Sequence, residues 1–119
     1  MYIRLPGKLR PLLEVRVGKL KIGPGMDEGV DMGPFYSAEH RESVIEWIAK
    51  GEAEGAELGA DGRPCPGEDS PDGYFLGGTL DDNVTPDMEI YREEIFGPVL
   101  GIVHADTVDE AWRMLNEHQ

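Results

Sequence analysis

The sequence predicts an α/β fold with a mixed or mainly parallel sheet and flanking helices. Residues 37–55 and 107–117 repeat apolar side chains at helical spacing. Residues 99–104 are typical of a strand, and 74–76 and 79–80 are typical of strand fragments broken by two glycines. Strands that alternate with helices indicate an α/β domain. Because no linker divides the 119 residues, the chain is expected to form one domain, 1–119.

The first part of the chain has the least regular pattern. Two prolines and a glycine are expected to disturb any regular element within residues 1–16. Between Val15 and Ile22 apolar residues alternate around a Gly-Lys pair, which on pattern alone favours a β-hairpin. Glycines and prolines then predict a loop over residues 23–34.

A helix is expected to begin after Ser37. Serine is a good N-cap, and Glu39 in the first turn is favourably placed against the helix dipole. Gly51 or Gly55 is expected to end the helix. Its apolar stripe, expected to face the core, comprises Val44, Ile45, Trp47 and Ile48.

The remainder of the chain predicts short elements and one further helix. Residues 56–58 begin a strand, 59–73 form a polar surface loop and 87–93 hold one helical turn. Thr107 opens the last helix with a capping box. The face of this helix expected to be buried comprises Val108, Ala111, Trp112 and Leu115.

Composition excludes several classes of partner and compartment. The net charge is −13, which repels nucleic acid and anionic membranes. A single cysteine excludes an internal disulfide framework and favours a reducing compartment. No apolar run is long enough for a membrane span, and the N-terminal residues lack a signal-peptide pattern. A cytoplasmic protein is expected.

Neither the histidines nor the acidic residues predict a metal site. The three histidines, His40, His104 and His118, are scattered and lack metal-binding spacing. The acidic residues near the middle of the chain lack the pattern of a calcium loop and are expected to be solvated turn carboxylates: Asp81, Asp82, Asp87 and Glu89. Cys65 lies among turn formers with only Arg63 nearby to activate it, so an inert thiol is expected.

The most informative segment is Glu93–Val99, with the sequence EEIFGPV. In an extended segment alternate side chains share a face, so Glu94 and Phe96 are expected to project into one cleft. A carboxylate accepts hydrogen bonds, which suits a vicinal diol such as a ribose, and a phenyl ring offers a plane for a heterocycle. The glycine at 97 would allow close approach of a ligand. The same pattern is also common in half-buried strands.

The surrounding sequence resembles the aldehyde dehydrogenase superfamily. The resemblance covers residues 17–119 and rests on KLKIGPGMDEGVDMGP, SAEHRESVIEWIAKGEAEGAEL, GGTLDDNVTPDMEIYREEIFGPVL and DTVDEAWRMLNEHQ. In the detail of these segments the chain is most similar to the methylmalonate/malonate semialdehyde dehydrogenases that acylate coenzyme A. Residues 1–16 match poorly. The family has the end of a helix where the pattern from Val15 to Ile22 suggests a hairpin, and the helix end is therefore expected there.

The resemblance implies a partial catalytic domain of an NAD-dependent enzyme. A cysteine thiolate would attack the aldehyde, hydride would pass to NAD, and coenzyme A would cleave the acyl-thioester. Glu94 would hold the nicotinamide ribose and Phe96 would lie against the nicotinamide. The family's nucleophile lies upstream of the matching segments, so no catalytic residue is expected in this chain. The intact enzyme would be a homo-oligomer in the cytoplasm, or in the mitochondrial matrix of a eukaryote.

A second interpretation is a truncated, catalytically inactive chain that acts, if at all, as a binding or interaction module. The absence of the nucleophile and of a Gly-rich dinucleotide turn favours it. The choice between NAD and NADP and the exact aldehyde remain open from the sequence.

Overall fold

A computed structural model describes residues 8–65 and 73–118. The elements in chain order are α1 (Leu9–Val17), α2 (Ala38–Glu54), β1 (Glu57–Ala60), β2 (Thr79–Asp82), α3 (Glu89–Arg92), β3 (Val99–Gly101) and α4 (Val108–Glu117). The sheet has the order β1-β2-β3, with β1 antiparallel and β3 parallel to the central strand β2. The expected α/β fold with a mixed sheet and flanking helices is confirmed.

Both helices predicted from caps form as expected. The Ser37 hydroxyl accepts a hydrogen bond from the His40 backbone N–H, and Gly55 ends α2 in the left-handed conformation with φ 111°. The Thr107 hydroxyl accepts from the Glu110 N–H. In a capping box the side chain at the third helical position accepts a hydrogen bond from the N–H of the cap residue. Here the Glu110 carboxylate accepts instead from the N–H of Asp106, the residue before the cap, at 2.8 Å.

The N-terminal segment forms a helix, so the hairpin favoured by its alternating pattern is wrong. Helix α1 tolerates Pro11 because this residue lies in the first turn, where its missing N–H has no intrahelical partner. Val17 lies against the backbone at Gly78, which anchors the end of the helix beside the sheet. The family resemblance had placed a helix end here, and it predicted this segment better than the periodicity did.

The apolar core consists of two clusters, one between α2 and the sheet and one beside α3 and α4. Val44, Ile48 and Leu76 form one, and the other comprises Ala56, Val84, Met88 and Val103. The expected strand after α2 is present, and the loop expected over 59–73 falls partly outside the described residues. The extended run expected to reach residue 104 pairs only over Val99–Gly101.

The apolar face of α4 is exposed, which contradicts the expected burial. Ala111 is buried, but Val108, Trp112 and Leu115 are 62%, 59% and 43% exposed. Trp112 is therefore not a core residue, whereas Trp47 on α2 is half-buried. An amphipathic pattern shows that a helix has an apolar face, but the described part of this chain supplies no element to cover that face.

Candidate functional site

The segment from Glu93 to Phe96 borders a cavity. Glu93 and Ile95 line a cavity of about 210 Å³ between α3, β3 and the end of α4. Glu94 and Phe96 are exposed, and the Phe96 ring shows 70% of its surface. Glu93 is exposed as well, and the cavity is lined by neither Glu94 nor Phe96. That the two predicted residues share one cleft therefore stays a prediction.

The Glu94 carboxylate is available to a ligand. Across residues 8–65 and 73–118, no hydrogen bond or ion pair engages it. An ionised carboxylate has several acceptor positions, and two neighbouring hydroxyl groups can occupy them at once. An uncommitted carboxylate beside an exposed phenyl ring therefore fits the ribose and nicotinamide of a dinucleotide in the chemistry of its groups.

Gly97 is required for packing against helix α2. A Cβ built at this position would lie 2.8 Å from a methyl group of Val44 on α2, which is closer than van der Waals contact allows. The next residue, Pro98, accepts a hydrogen bond from the Thr79 N–H at 2.8 Å. These two contacts fix the start of β3 against both the helix and the central strand.

Sequence reasoning missed the most unusual carboxyl group of the molecule. Asp81 was expected to be a solvated turn carboxylate, but its side chain is only 1% exposed. It lies in the middle of β2, in register with Leu58 and Gly101. Its Oδ1 atom is buried without a hydrogen-bond partner. Burial, with a smaller contribution from the negative charge of Glu52, raises the pKa of Asp81 from its ordinary value of 3.8 to about 6.

The next residue, Asp82, is also buried but is fully engaged. His104 Nε2 lies 2.6 Å from Oδ1, and Arg10 Nη1 lies 2.8 Å from Oδ2. Burial by itself would raise the pKa of Asp82, but hydrogen bonds from His104 and the Asn83 N–H, helped by the charge of Arg10, hold it below its ordinary value. Asp82 therefore links α1, β2 and the residues after β3.

Replacing Asp82 with asparagine is expected to lower the free energy of unfolding by about 2 kcal/mol, because two donors lose a charged acceptor. The half-exposed positions of Arg10 and His104 keep the effect modest. Since folding lowers this pKa, the contribution of Asp82 is present above its ordinary value and is lost as the pH falls through the lowered one. Urea unfolding between pH 3 and 7 measures both effects.

Glu57→Gln provides the matched control, because Glu57 also contacts Arg10 but at 3.2 Å and with 59% of its side chain exposed. Its effect is expected to stay below about 0.5 kcal/mol. Equal losses in the two variants would contradict the role of Asp82 as the buried centre of the network.

The remaining candidate groups from the sequence are the thiol and the possible metal ligands. Cys65 is buried, with 6% of its surface exposed, as suits an inert thiol better than a nucleophile. Within the described ranges, no three His, Cys, Asp or Glu side chains are arranged to hold a metal ion. In the same ranges, none of the helices has the length and apolar character needed to cross a bilayer.

Comparison with known proteins identifies the family. The model of the aldehyde dehydrogenase family matches residues 7–119, which includes α1. A malonate-semialdehyde dehydrogenase of Pseudomonas aeruginosa is 46% identical over 104 residues, which are 87% of this chain and 21% of that protein.

Solved structures agree with this match. Methylmalonate-semialdehyde dehydrogenase from Oceanimonas doudoroffii is 42% identical, with a TM-score of 0.87 over 92% of this chain and 22% of that one. Betaine aldehyde dehydrogenase from Staphylococcus aureus in complex with NAD+ is 36% identical, with a TM-score of 0.84 over 92% of this chain and 22% of that one. The chain thus spans about a fifth of the length of these relatives. It belongs to the aldehyde dehydrogenase family.

Proposed function

We propose that this chain supplies the nicotinamide-side contacts of an NAD-dependent, CoA-acylating semialdehyde dehydrogenase. The observation that carries the proposal is the pair of exposed groups on one side of the segment 93–96, the uncommitted carboxylate of Glu94 and the ring of Phe96. Similarity to malonate-semialdehyde dehydrogenases and to a structure solved with NAD+ supports the choice of substrate and cofactor.

In this proposal the chain contributes geometry rather than a reacting group. When bound, NAD accepts the hydride that leaves the aldehyde carbon. Glu94 would accept hydrogen bonds from the two ribose hydroxyls and so hold the sugar, and Phe96 would limit the positions open to the nicotinamide ring. By restricting where the cofactor can bind, these two residues would convert a loose encounter into an oriented one, which is the main source of rate available to such residues.

The proposal extends to the whole enzyme. A cysteine from the remainder of the catalytic domain forms the thioester, and coenzyme A takes the acyl group. The substrate is malonate semialdehyde or its methyl derivative, the assembly is a homo-oligomer, and the compartment is the cytoplasm or the mitochondrial matrix. The similarity to semialdehyde dehydrogenases supports the choice of substrate, and the single cysteine of the chain supports a reducing compartment.

Replacing Glu94 with glutamine tests the proposed role. The P. aeruginosa relative, with this chain in place of its matching segment, is assayed with malonate semialdehyde, NAD and coenzyme A. Loss of the charged acceptor is expected to raise the KM for NAD or lower kcat about tenfold, corresponding to one charge-assisted hydrogen bond.

Glu93→Gln is the matched control, because Glu93 is the adjacent carboxylate on the other side of the segment. It is expected to leave the kinetics for NAD unchanged. Unaltered kinetics in the Glu94 variant would exclude the assignment. An inactive but folded substituted enzyme would instead favour the interpretation as a non-catalytic interaction module.

A further inference from the structure

His40 contacts the segment that carries Phe96. It lies in the first turn of α2, where its backbone N–H is bonded to the Ser37 hydroxyl. Its Nε2 atom lies 2.6 Å from the carbonyl oxygen of Phe96. Because a carbonyl oxygen only accepts, Nε2 must carry the hydrogen and donate it. The bond joins residues that are 56 positions apart in sequence.

The imidazole ring itself contacts two aromatic rings. Tyr36 stacks on it with centroids 4.9 Å apart and an interplanar angle of 24°, and Phe35 meets it edge-on at 5.0 Å. The Phe35 backbone is fixed in turn, because its N–H donates to the Tyr74 carbonyl at 2.7 Å. The donor nitrogen of His40 therefore has a defined direction before it meets Phe96.

A second contact from the same helix face holds the adjacent residue. Val44 is one turn after His40, so both side chains project from one side of α2. Val44 packs against Gly97, where an added Cβ would lie 2.8 Å from its methyl group. The peptide unit between Phe96 and Gly97 is thus bonded at its carbonyl and packed at its glycine. By contrast, the Phe96 ring is 70% exposed and is not held by packing of its own.

We propose that His40 is a positioning residue for the nicotinamide-side segment, an inference that rests on the proposed function. By fixing the Phe96 carbonyl, it fixes the direction in which the Cα–Cβ bond carries the exposed ring. A segment whose backbone is already ordered loses less conformational freedom when a planar ligand docks against its exposed ring, so binding is tighter. His40 itself contacts the backbone of the segment and acts through Phe96.

The test uses the 119-residue chain and separates the hydrogen bond from ring packing. His40→Phe keeps an aromatic ring between Tyr36 and Phe35 but removes the donor. His40→Gln removes the ring but places an amide N–H at a similar distance from the helix. NMR is expected to detect the Nε2-bound hydrogen of wild-type His40. Order parameters of the Phe96–Gly97 backbone are expected to fall from about 0.85 to below about 0.6 in His40→Phe and to recover in His40→Gln.

His118→Phe is the matched control, because His118 makes the same kind of contact elsewhere. Its Nε2 lies 2.7 Å from the Tyr91 carbonyl, and its ring meets Tyr91 edge-on at 4.8 Å. This variant is expected to leave the order of Phe96 unchanged. Unchanged order in His40→Phe, or equal loss in both phenylalanine variants, would overturn the positioning role.

Nicotinamide mononucleotide is the ligand probe that distinguishes this inference from the proposed function. Wild type and His40→Gln are expected to show shifts of the Phe96 ring signals at least fivefold larger than His40→Phe at the same probe concentration. If the order of Phe96 depends on His40 but the probe shifts no Phe96 signal in the wild type, the link to the nicotinamide is refuted. If the probe binds equally to all variants, the proposed function survives and the role of His40 does not.

Discussion

Replacing Asp81 with leucine is expected to raise the free energy of unfolding at pH 7 by about 2 to 3 kcal/mol. In the sheet, Asp81 pairs with Leu58 on one side and with Gly101 on the other. Its carboxyl oxygen Oδ1 is buried without a hydrogen-bond partner. A buried charge without compensating hydrogen bonds destabilises the folded state. The larger leucine side chain can extend into the cavity that Asp81 and Gly101 line.

The pH dependence of this effect identifies its cause. Folding raises the pKa of Asp81 from 3.8 to about 6, so the folded state binds the proton more tightly than the unfolded state. Its contribution makes the wild type most stable below the lower value, and that stability is lost as the pH rises through about 6. The advantage of Asp81→Leu is therefore expected to be small at pH 4 and full at pH 7.5.

Urea unfolding of both proteins across this pH range measures the difference while cancelling the titration of other carboxylates. The charged groups that face Asp81 are Glu52, Asp61 and Arg63, and they are the same in both proteins. Asp81→Asn is the intermediate control, because it removes the charge but keeps a buried polar group. A destabilised leucine variant, or a gain that does not change with pH, would show that the carboxylate is well solvated or paired.

Replacing Gly62 with alanine is expected to lower the free energy of unfolding by about 3 kcal/mol or more. The Gly77 N–H donates to the Gly62 carbonyl at 2.9 Å, and the Gly62 N–H donates to the Thr79 hydroxyl at 3.0 Å. A Cβ at Gly62 would lie 2.1 Å from the Gly77 carbonyl oxygen. Since that obstacle is backbone, the two segments must separate to accept it, and both hydrogen bonds are strained.

Gly25→Ala is the control for this substitution, because a Cβ built there meets no atom within 4 Å. Its melting temperature is expected to stay near that of the wild type, whereas Gly62→Ala is expected to melt well below it or to fail to fold. Similar melting temperatures for the two variants would mean that the segments at Gly62 and Gly77 are not closely packed in solution.

Local signals in the sequence predicted local structure well. Ser37 and Thr107 identify helix starts because a hydroxyl cap acts within three residues. The alternation predicted across Glu93–Phe96 rests on the period of extended backbone. The structure bears it out only in part, because Glu93 and Ile95 line one cavity but Glu93 is exposed, as Glu94 and Phe96 are. The roles of Glu94 and Phe96 came from the family resemblance and stay a prediction, since alternation gives only their shared side.

Burial depends on neighbours distant in sequence, and there the sequence was less informative. Asp81 and Asp82 look like turn residues, but the turn begins at Asn83, with φ 57°, and both aspartates pair within the sheet. Nothing in the sequence indicated the contact between His40 and Phe96, because the two residues are 56 positions apart in the chain. The expected burial of the apolar face of α4 was wrong, because periodicity identifies an apolar face but not the element that covers it.

The uncovered stripe of Val108, Trp112 and Leu115 makes the colloidal behaviour of the chain depend on ionic strength. With a formal charge of −13, copies in dilute buffer repel one another over distances longer than a side chain. Added electrolyte shortens that repulsion to about 3 Å at 1 M, while attraction between apolar stripes does not weaken. At high salt concentration the electrostatic repulsion between chains is therefore lost, while the attraction between their apolar stripes remains.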